Sequence, residues 1–110
     1  MKIKLSFILL LLATNINADI KAGRDVYLIN CANCHSINMS GSLGKDFNIV
    51  SYNRTIEEIK TYVKKPDMVF RSFGYPANAM PTLPLDREEI QNVAEYIDSL
   101  QPFKKWMKKK

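Results

Sequence analysis

Two cysteines and a histidine fall within five residues, Cys31-Ala32-Asn33-Cys34-His35, and no other feature limits the fold of this chain so tightly. The chain contains no further cysteine and no further histidine. A closed zinc centre of four Cys or His ligands is therefore out of reach. The C-x-x-C-H pattern is instead the attachment signature of a c-type haem. Two thiols spaced by two residues span one porphyrin edge, where they add to the vinyl groups as thioethers. The adjacent imidazole then lies under the ring, within reach of the iron. Two alternatives use the same residues, a structural disulfide and a redox-active dithiol of thioredoxin type. Dithiol proteins set the pair at a helix start in a strand-rich fold, and no stretch here alternates cleanly between apolar and polar residues.

The chain begins like an exported protein. Lys2 and Lys4 precede an apolar run, Leu5 to Ala13, broken only by Ser6, and polar residues then lead to Ala18. This layout predicts a secretory signal over residues 1–18, cleaved after Ala18, and a periplasmic protein. The run is short against the roughly 20 residues that span a bilayer. An uncleaved membrane anchor is the alternative. The formal charge of +5 includes Lys104, Lys105, Lys108, Lys109 and Lys110. Without the leader and these five lysines, acidic residues outnumber basic ones, so the basicity belongs to a tail over 101–110. The four glycines, Gly23, Gly41, Gly44 and Gly74, form no phosphate-binding loop, which argues against a nucleotide enzyme. Nucleic acid is a poor partner for an exported chain.

Between leader and tail the sequence reads as helices joined by loops. A first helix is predicted over Asp19 to Asn30, with Ile20, Val26, Tyr27 and Leu28 as its apolar residues and Gly23 offering a close approach to another helix. A second runs over Thr55 to Lys65, where Thr55 and Glu58 have capping-box spacing and Pro66 stops the helix. Its face is Ile56, Ile59 and Val63. A third runs from about Asp86 to Leu100, with Ile90, Val93, Ala94, Ile97 and Leu100 in one stripe and Tyr96 beside it. Ser36 to Asn53 and Pro66 to Leu85 lack strong periodicity and read as irregular. That much irregular chain in one small domain requires something to organise it.

A haem iron held by His35 needs a sixth ligand. Met39 is only four residues on, and at about 3.5 Å per residue it can hardly reach the far face of the ring. Met107 lies in the tail. Met68 sits with Val69 and Phe70, a setting that suits an ordinary core methionine. Met80 lies in Pro76-Ala77-Asn78-Ala79-Met80-Pro81, where Pro81 holds it extended, as a stiff loop along a flat ligand requires. Met80 is the favoured ligand, with Met68, or water, as alternatives.

Gly23 and Tyr27 on an opening helix, the C-x-x-C-H motif, Met80-Pro81 some 45 residues after His35, and a closing amphipathic helix with Tyr96 occur in the order of a known family. Over roughly Ala22 to Leu100 the chain resembles a small mono-haem class I cytochrome c. The resemblance implies an all-α fold, three main helices and irregular loops wrapped around one covalently bound haem c, with domain bounds near 19–100. It also implies Cys31 and Cys34 as the thioether residues, His35 as proximal ligand and Met80 as distal ligand. Family members often carry Gly-Pro where this chain has Gly44-Lys45, and a carbonyl of that loop commonly accepts the proximal histidine N–H, orienting the ring. Tyr75 and Asn78 are candidate donors to the Met80 sulfur.

With both axial positions filled the iron has no place for substrate, so the expected role is electron transfer between redox proteins rather than catalysis. A monomer is expected. The alternatives are a fixed haem subunit of a larger oxidase or dehydrogenase, and a five-coordinate haem protein binding a gas or peroxide. The basic tail reads as a solvated end, as a guide toward an acidic redox partner, or as a peripheral contact with an anionic membrane surface through Phe103 and Trp106.

Overall fold

The computed structural model describes residues 19–101; the expected signal segment 1–18 and the tail from Pro102 onward, with Met107, lie outside them. Five helices follow one another, α1 (Ile20–Asn30), α2 (Phe47–Asn53), α3 (Ile56–Lys64), α4 (Pro66–Val69) and α5 (Arg87–Ser99), and no strand occurs among the described residues. The all-α expectation holds, and the three predicted helices are α1, α3 and α5.

Each of the three starts on a side-chain cap. The Asp19 carboxylate accepts the Ala22 N–H at 3.0 Å, satisfying one of the amides that the first helical turn leaves unpaired. In α3, Thr55 Oγ1 accepts the Glu58 N–H at 3.1 Å while Glu58 accepts the Thr55 N–H at 2.9 Å. Asp86 and Glu89 repeat this reciprocal box at the start of α5. Pro66 ends α3 and then serves as the first residue of α4, a position that needs no N–H.

The two short helices fall inside segments that read as irregular. α2 carries two asparagines, Ile49 and Val50 in only seven residues, a composition with little intrinsic helical preference. Its place is fixed instead by Asp46, which caps it, and by Phe47 and Ser51, which are buried. α4 is a single turn. Within α1 the expected apolar set divides: Val26 and Tyr27 are buried, whereas Ile20 and Leu28 are exposed.

α1 and α5 form the most extensive helix pair, and α3 and α2 also pack on α5. The stripe on α5 does the expected work: Val93, Ala94 and Ile97 are almost fully buried, and Ile59 and Val63 of α3 join the same core. α1 and α5 cross at Gly23. A Cβ built there would stand 2.0 Å from the Asn92 carbonyl oxygen and 2.8 Å from Cβ of Tyr96, so only a bare α-carbon allows this approach. Beside the crossing the Tyr27 ring meets Tyr96 at 5.7 Å and Phe47 at 5.6 Å, and the Asp19 N–H donates to the Asn92 side chain at 3.3 Å.

Gly23→Ala is expected to lower stability by about 3 kcal/mol, because α1 must move off α5, even though alanine is the better helix former. Urea unfolding of the purified protein, followed by far-ultraviolet circular dichroism, measures this.

Candidate functional site

The interior faces of α3 and α5 do not close on one another completely. A cavity of about 700 Å³ separates them from the loops, and Phe47, Ile59, Val63, Val93 and Ile97 give it an apolar wall continuous with the core. Cys31, Cys34, His35 and Met80, far apart in sequence, all line this one space. Polar groups at its wall include Lys45, Arg54, Glu58 and Tyr62.

The cysteines come directly off the end of α1. The amides of Cys31 and Ala32 both donate to the Tyr27 carbonyl, at 2.8 and 2.9 Å, and the His35 amide donates to the Cys31 carbonyl at 2.9 Å. This compact turn follows the helix without a spacer, so the crossing at Gly23 also sets where the sulfurs stand. Cys31 is buried, Cys34 is exposed, and no disulfide joins them. Burial pushes the Cys31 thiol up to about 11, so at neutral pH it is a thiol. A redox-active dithiol needs the opposite shift.

His35 is gripped on several sides. Its Nδ1 lies 2.7 Å from the Lys45 carbonyl oxygen. A carbonyl only accepts, so this contact places the hydrogen on Nδ1 and leaves the lone pair on Nε2, the nitrogen free to bind a metal. Phe47 stacks on the ring at 4.4 Å and 18°. The Tyr27 hydroxyl donates to the His35 carbonyl at 2.7 Å. Gly44 packs against one edge of the ring: its amide donates to the Cys34 carbonyl at 2.6 Å, and a Cβ there would stand 2.5 Å from His35 Cε1. The loop carbonyl expected near Gly44-Lys45 is therefore that of Lys45, and the absence of proline does not prevent it.

Asp46 holds that loop in shape, a role that sequence reading missed. Its buried carboxylate accepts from the Ser36 hydroxyl, from the Met39 N–H at 2.7 Å, from the Asn48 N–H at 2.8 Å and from the Asn48 side chain at 3.0 Å. Burial alone would raise its pKa, but these donors outweigh burial and hold it below the ordinary carboxylate value. A carboxylate before a short helix is a weak sequence signal, since the donors come from both sides of a loop. The same residue caps α2 and so also seats Phe47 against His35.

Among the other methionines, Met68 is not a core residue: it is 76% exposed and does not line the cavity, because the single turn of α4 points it outward. Met39 is exposed as well, in a left-handed backbone conformation, φ 62°. Met80 is half-buried and packs on the core. Asn78 is not a donor to its sulfur. Its two amide hydrogens go to Asp67 Oδ1 at 3.1 Å and to the Met80 carbonyl at 2.9 Å. Tyr75 lines the cavity but makes no hydrogen bond to Met80 among the described residues. Its ring instead meets that of Tyr62 at 5.7 Å. Arg54 ties the loop after α4 to α3, donating to the Phe73 carbonyl at 2.7 Å, resting over the Phe73 ring at 4.5 Å and pairing with Glu58 at 3.4 Å.

A roomy apolar slot lined by two cysteines, one imidazole with Nε2 free and one thioether fits a large planar group with a metal of borderline softness, as a porphyrin with iron is. Comparisons with known proteins agree. The family model for cytochrome c matches residues 20–101. A cbb3-type cytochrome c oxidase subunit CcoP of Helicobacter pylori (strain ATCC 700392 / 26695) is 28% identical over 75 residues, covering 68% of this chain and 25% of that protein. The CcoP subunit of Helicobacter pylori strain 52 is also 28% identical over 75 residues, covering 68% of this chain and 24% of its own length. This chain thus spans about a quarter of the length of the curated relatives it matches. No solved structure gives a significant match.

The depressed pKa of Asp46 makes it a source of acid sensitivity. Its contribution to stability is complete above the unfolded carboxylate value, near 4, and is lost as pH falls through its lower folded value. Glu58, lowered first by the Thr55 N–H and then by Arg54, against burial, adds in the same sense. Asp46→Asn is expected to flatten the acid limb of a stability-versus-pH curve and to lower stability near pH 7. Denaturant titrations from pH 2 to pH 7 test both effects.

Proposed function

The chain belongs to the cytochrome c family, and from that premise we propose that it is an exported one-electron carrier with a single haem c. Haem-based electron transfer follows from the family. The finer reading rests on one observation above all, the convergence of Cys31, Cys34, His35 and Met80 on one cavity. In this reading the two cysteines would hold the porphyrin through thioethers, and His35 and Met80 would hold the iron.

Bound haem c supplies reversible exchange of one electron at iron, and the chain supplies everything that makes the exchange fast and directional. The Lys45 carbonyl and the Phe47 ring fix the plane of the imidazole, so little rearrangement accompanies a change of charge. The carbonyl also makes the imidazole a stronger donor. The apolar wall of Ile59, Val63, Val93 and Ile97 keeps water from the interior face and so disfavours the more highly charged oxidised state. A neutral thioether from Met80 acts in the same direction. Were His35 and Met80 both to hold the iron, no protein-facing place would remain for a substrate, which supports a carrier rather than an enzyme.

The leader-like sequence of residues 1–18 supports export to the periplasm, and the lysines after residue 103 support steering toward an acidic redox partner. The likeness to CcoP, a subunit of an oxidase, favours a second reading in which the same domain works docked in a larger complex. Co-purification with a partner at moderate salt would select that reading over a freely diffusing monomer.

A pyridine haemochrome spectrum of protein exported from a host competent in haem maturation is expected to give the bands of a haem joined by two thioethers. Oxidised wild type is expected to show the weak red charge-transfer band of a methionine–iron bond, and Met80→Ala to lose it. Survival of the band in that variant removes Met80 from the ligand set. Deleting residues 104–110 is expected to slow electron transfer to the native partner about tenfold at low ionic strength and to leave the spectrum unchanged. Equal rates at every salt concentration would show the lysines to be idle.

A further inference from the structure

Met80 lies on a stretch with no regular structure of its own. Among the described residues, 76–82 form no main-chain to main-chain hydrogen bond, either with one another or with the rest of the chain. Pro81 limits the backbone of Met80 to extended conformations but supplies no bond that holds it at one depth over the cavity. Something else must keep a half-buried thioether in place.

We propose that Asn78 is the positioning residue for Met80, a side-chain clamp that fixes the loop against α3 and α4. This rests on the reading of Met80 as an iron ligand. The Asn78 Nδ2 donates to the Met80 carbonyl at 2.9 Å, and the Met80 N–H approaches Asn78 Oδ1 at 3.4 Å, so one amide grips both main-chain polar groups of the same residue. The other two valences anchor the amide itself. The Tyr62 hydroxyl, on α3, donates to Oδ1 at 2.9 Å, and Nδ2 donates to Asp67 Oδ1, on α4, at 3.1 Å. An asparagine side chain offers two hydrogens and two acceptor sites, and all four are used.

The network also fixes which way the amide points. Turned over, it would set its oxygen against the Met80 carbonyl and the Asp67 carboxylate, three acceptors together. Tyr62 is itself held, edge-on to Phe73 at 5.1 Å and to Tyr75 at 5.7 Å, and its ring lines the cavity. The anchor of the clamp is thus part of the cavity wall. Loosening it lets the loop lift while the helices remain as they are. The resulting role is kinetic and thermodynamic selection at the sixth position: the clamp keeps the thioether bound and small external ligands out.

Imidazole is the probe. Binding of imidazole to the oxidised, haem-loaded protein requires Met80 to leave, so its affinity reports how firmly the loop is held. Asn78→Ala is expected to bind imidazole about tenfold more tightly than wild type and to lose the red charge-transfer band at a lower temperature, with helix content unchanged. Tyr62→Phe, which removes one anchor and keeps the ring, is expected to give about a threefold gain. Val26→Ala, a core truncation on α1 away from the cavity, is expected to lower overall stability without changing imidazole affinity. Imidazole affinities for both Asn78→Ala and Tyr62→Phe within twofold of a wild type that shows the band would overturn the clamp. If Asn78→Ala fails to retain haem, Tyr62→Phe decides alone by the same twofold criterion. A wild type without the band, or a band that survives Met80→Ala, would instead overturn the ligand reading beneath it.

Discussion

The contact between Gly23 and the backbone of Asn92 is the joint from which the rest of the molecule is laid out. No side chain separates α1 from α5 there, so the two helix axes are held at one distance and one angle. The cysteine turn follows α1 without a linker, and the Tyr27 carbonyl accepts from both of its first amides. The positions of both sulfurs, and of His35 one residue later, are therefore inherited from a helix crossing two turns earlier in the same helix. The closing stripe of α5 supplies the opposite wall of the cavity from the same joint.

Two loops complete the site, and each is organised around one polar side chain, in the first beside the main-chain bonds of Gly44 to Cys34 and of Phe47 to Ser36, in the second without any main-chain pairing over 76–82. On the His35 side it is Asp46, whose buried carboxylate gathers donors from Ser36, Met39 and Asn48 while capping α2. On the Met80 side it is Asn78. This division suits a domain of this size. Helices provide apolar area, and irregular segments, which cannot satisfy their own amides, borrow acceptors and donors from residues that reach across a turn. A carrier benefits from such stiffness, because an iron site that keeps its shape loses little energy to rearrangement when charge arrives.

Much of this arrangement was legible in the chain itself, for physical reasons that can be named. The capping boxes at Thr55–Glu58 and Asp86–Glu89 are local, and both form as spaced. The stripe of α5 is periodic, and Val93, Ala94 and Ile97 are buried as the period requires. The C-x-x-C-H motif is chemistry written in five consecutive residues. What escaped reading was non-local. α2 has weak propensity and exists because Asp46 and Phe47 are fixed by contacts from Ser36 and His35. Met68 looked like core in an apolar triplet, yet one turn of α4 leaves it in solvent. Asn78 was the right residue with the wrong partner: sequence showed a polar group near Met80, but only the fold shows Tyr62 and Asp67 turning its amide toward the main chain.

The cavity wall has a consequence for the life of the protein in the cell. Phe47, Ile59, Val63, Val93 and Ile97 belong at once to the hydrophobic core and to the wall of the cavity that a bound haem would fill. A chain that never acquires that group keeps only part of its core, spends more time locally open, and offers α3 and the loops around it to proteases. Abundance of the protein should then track the cell's supply of iron and porphyrin without any dedicated sensor, since unfinished copies are the ones degraded.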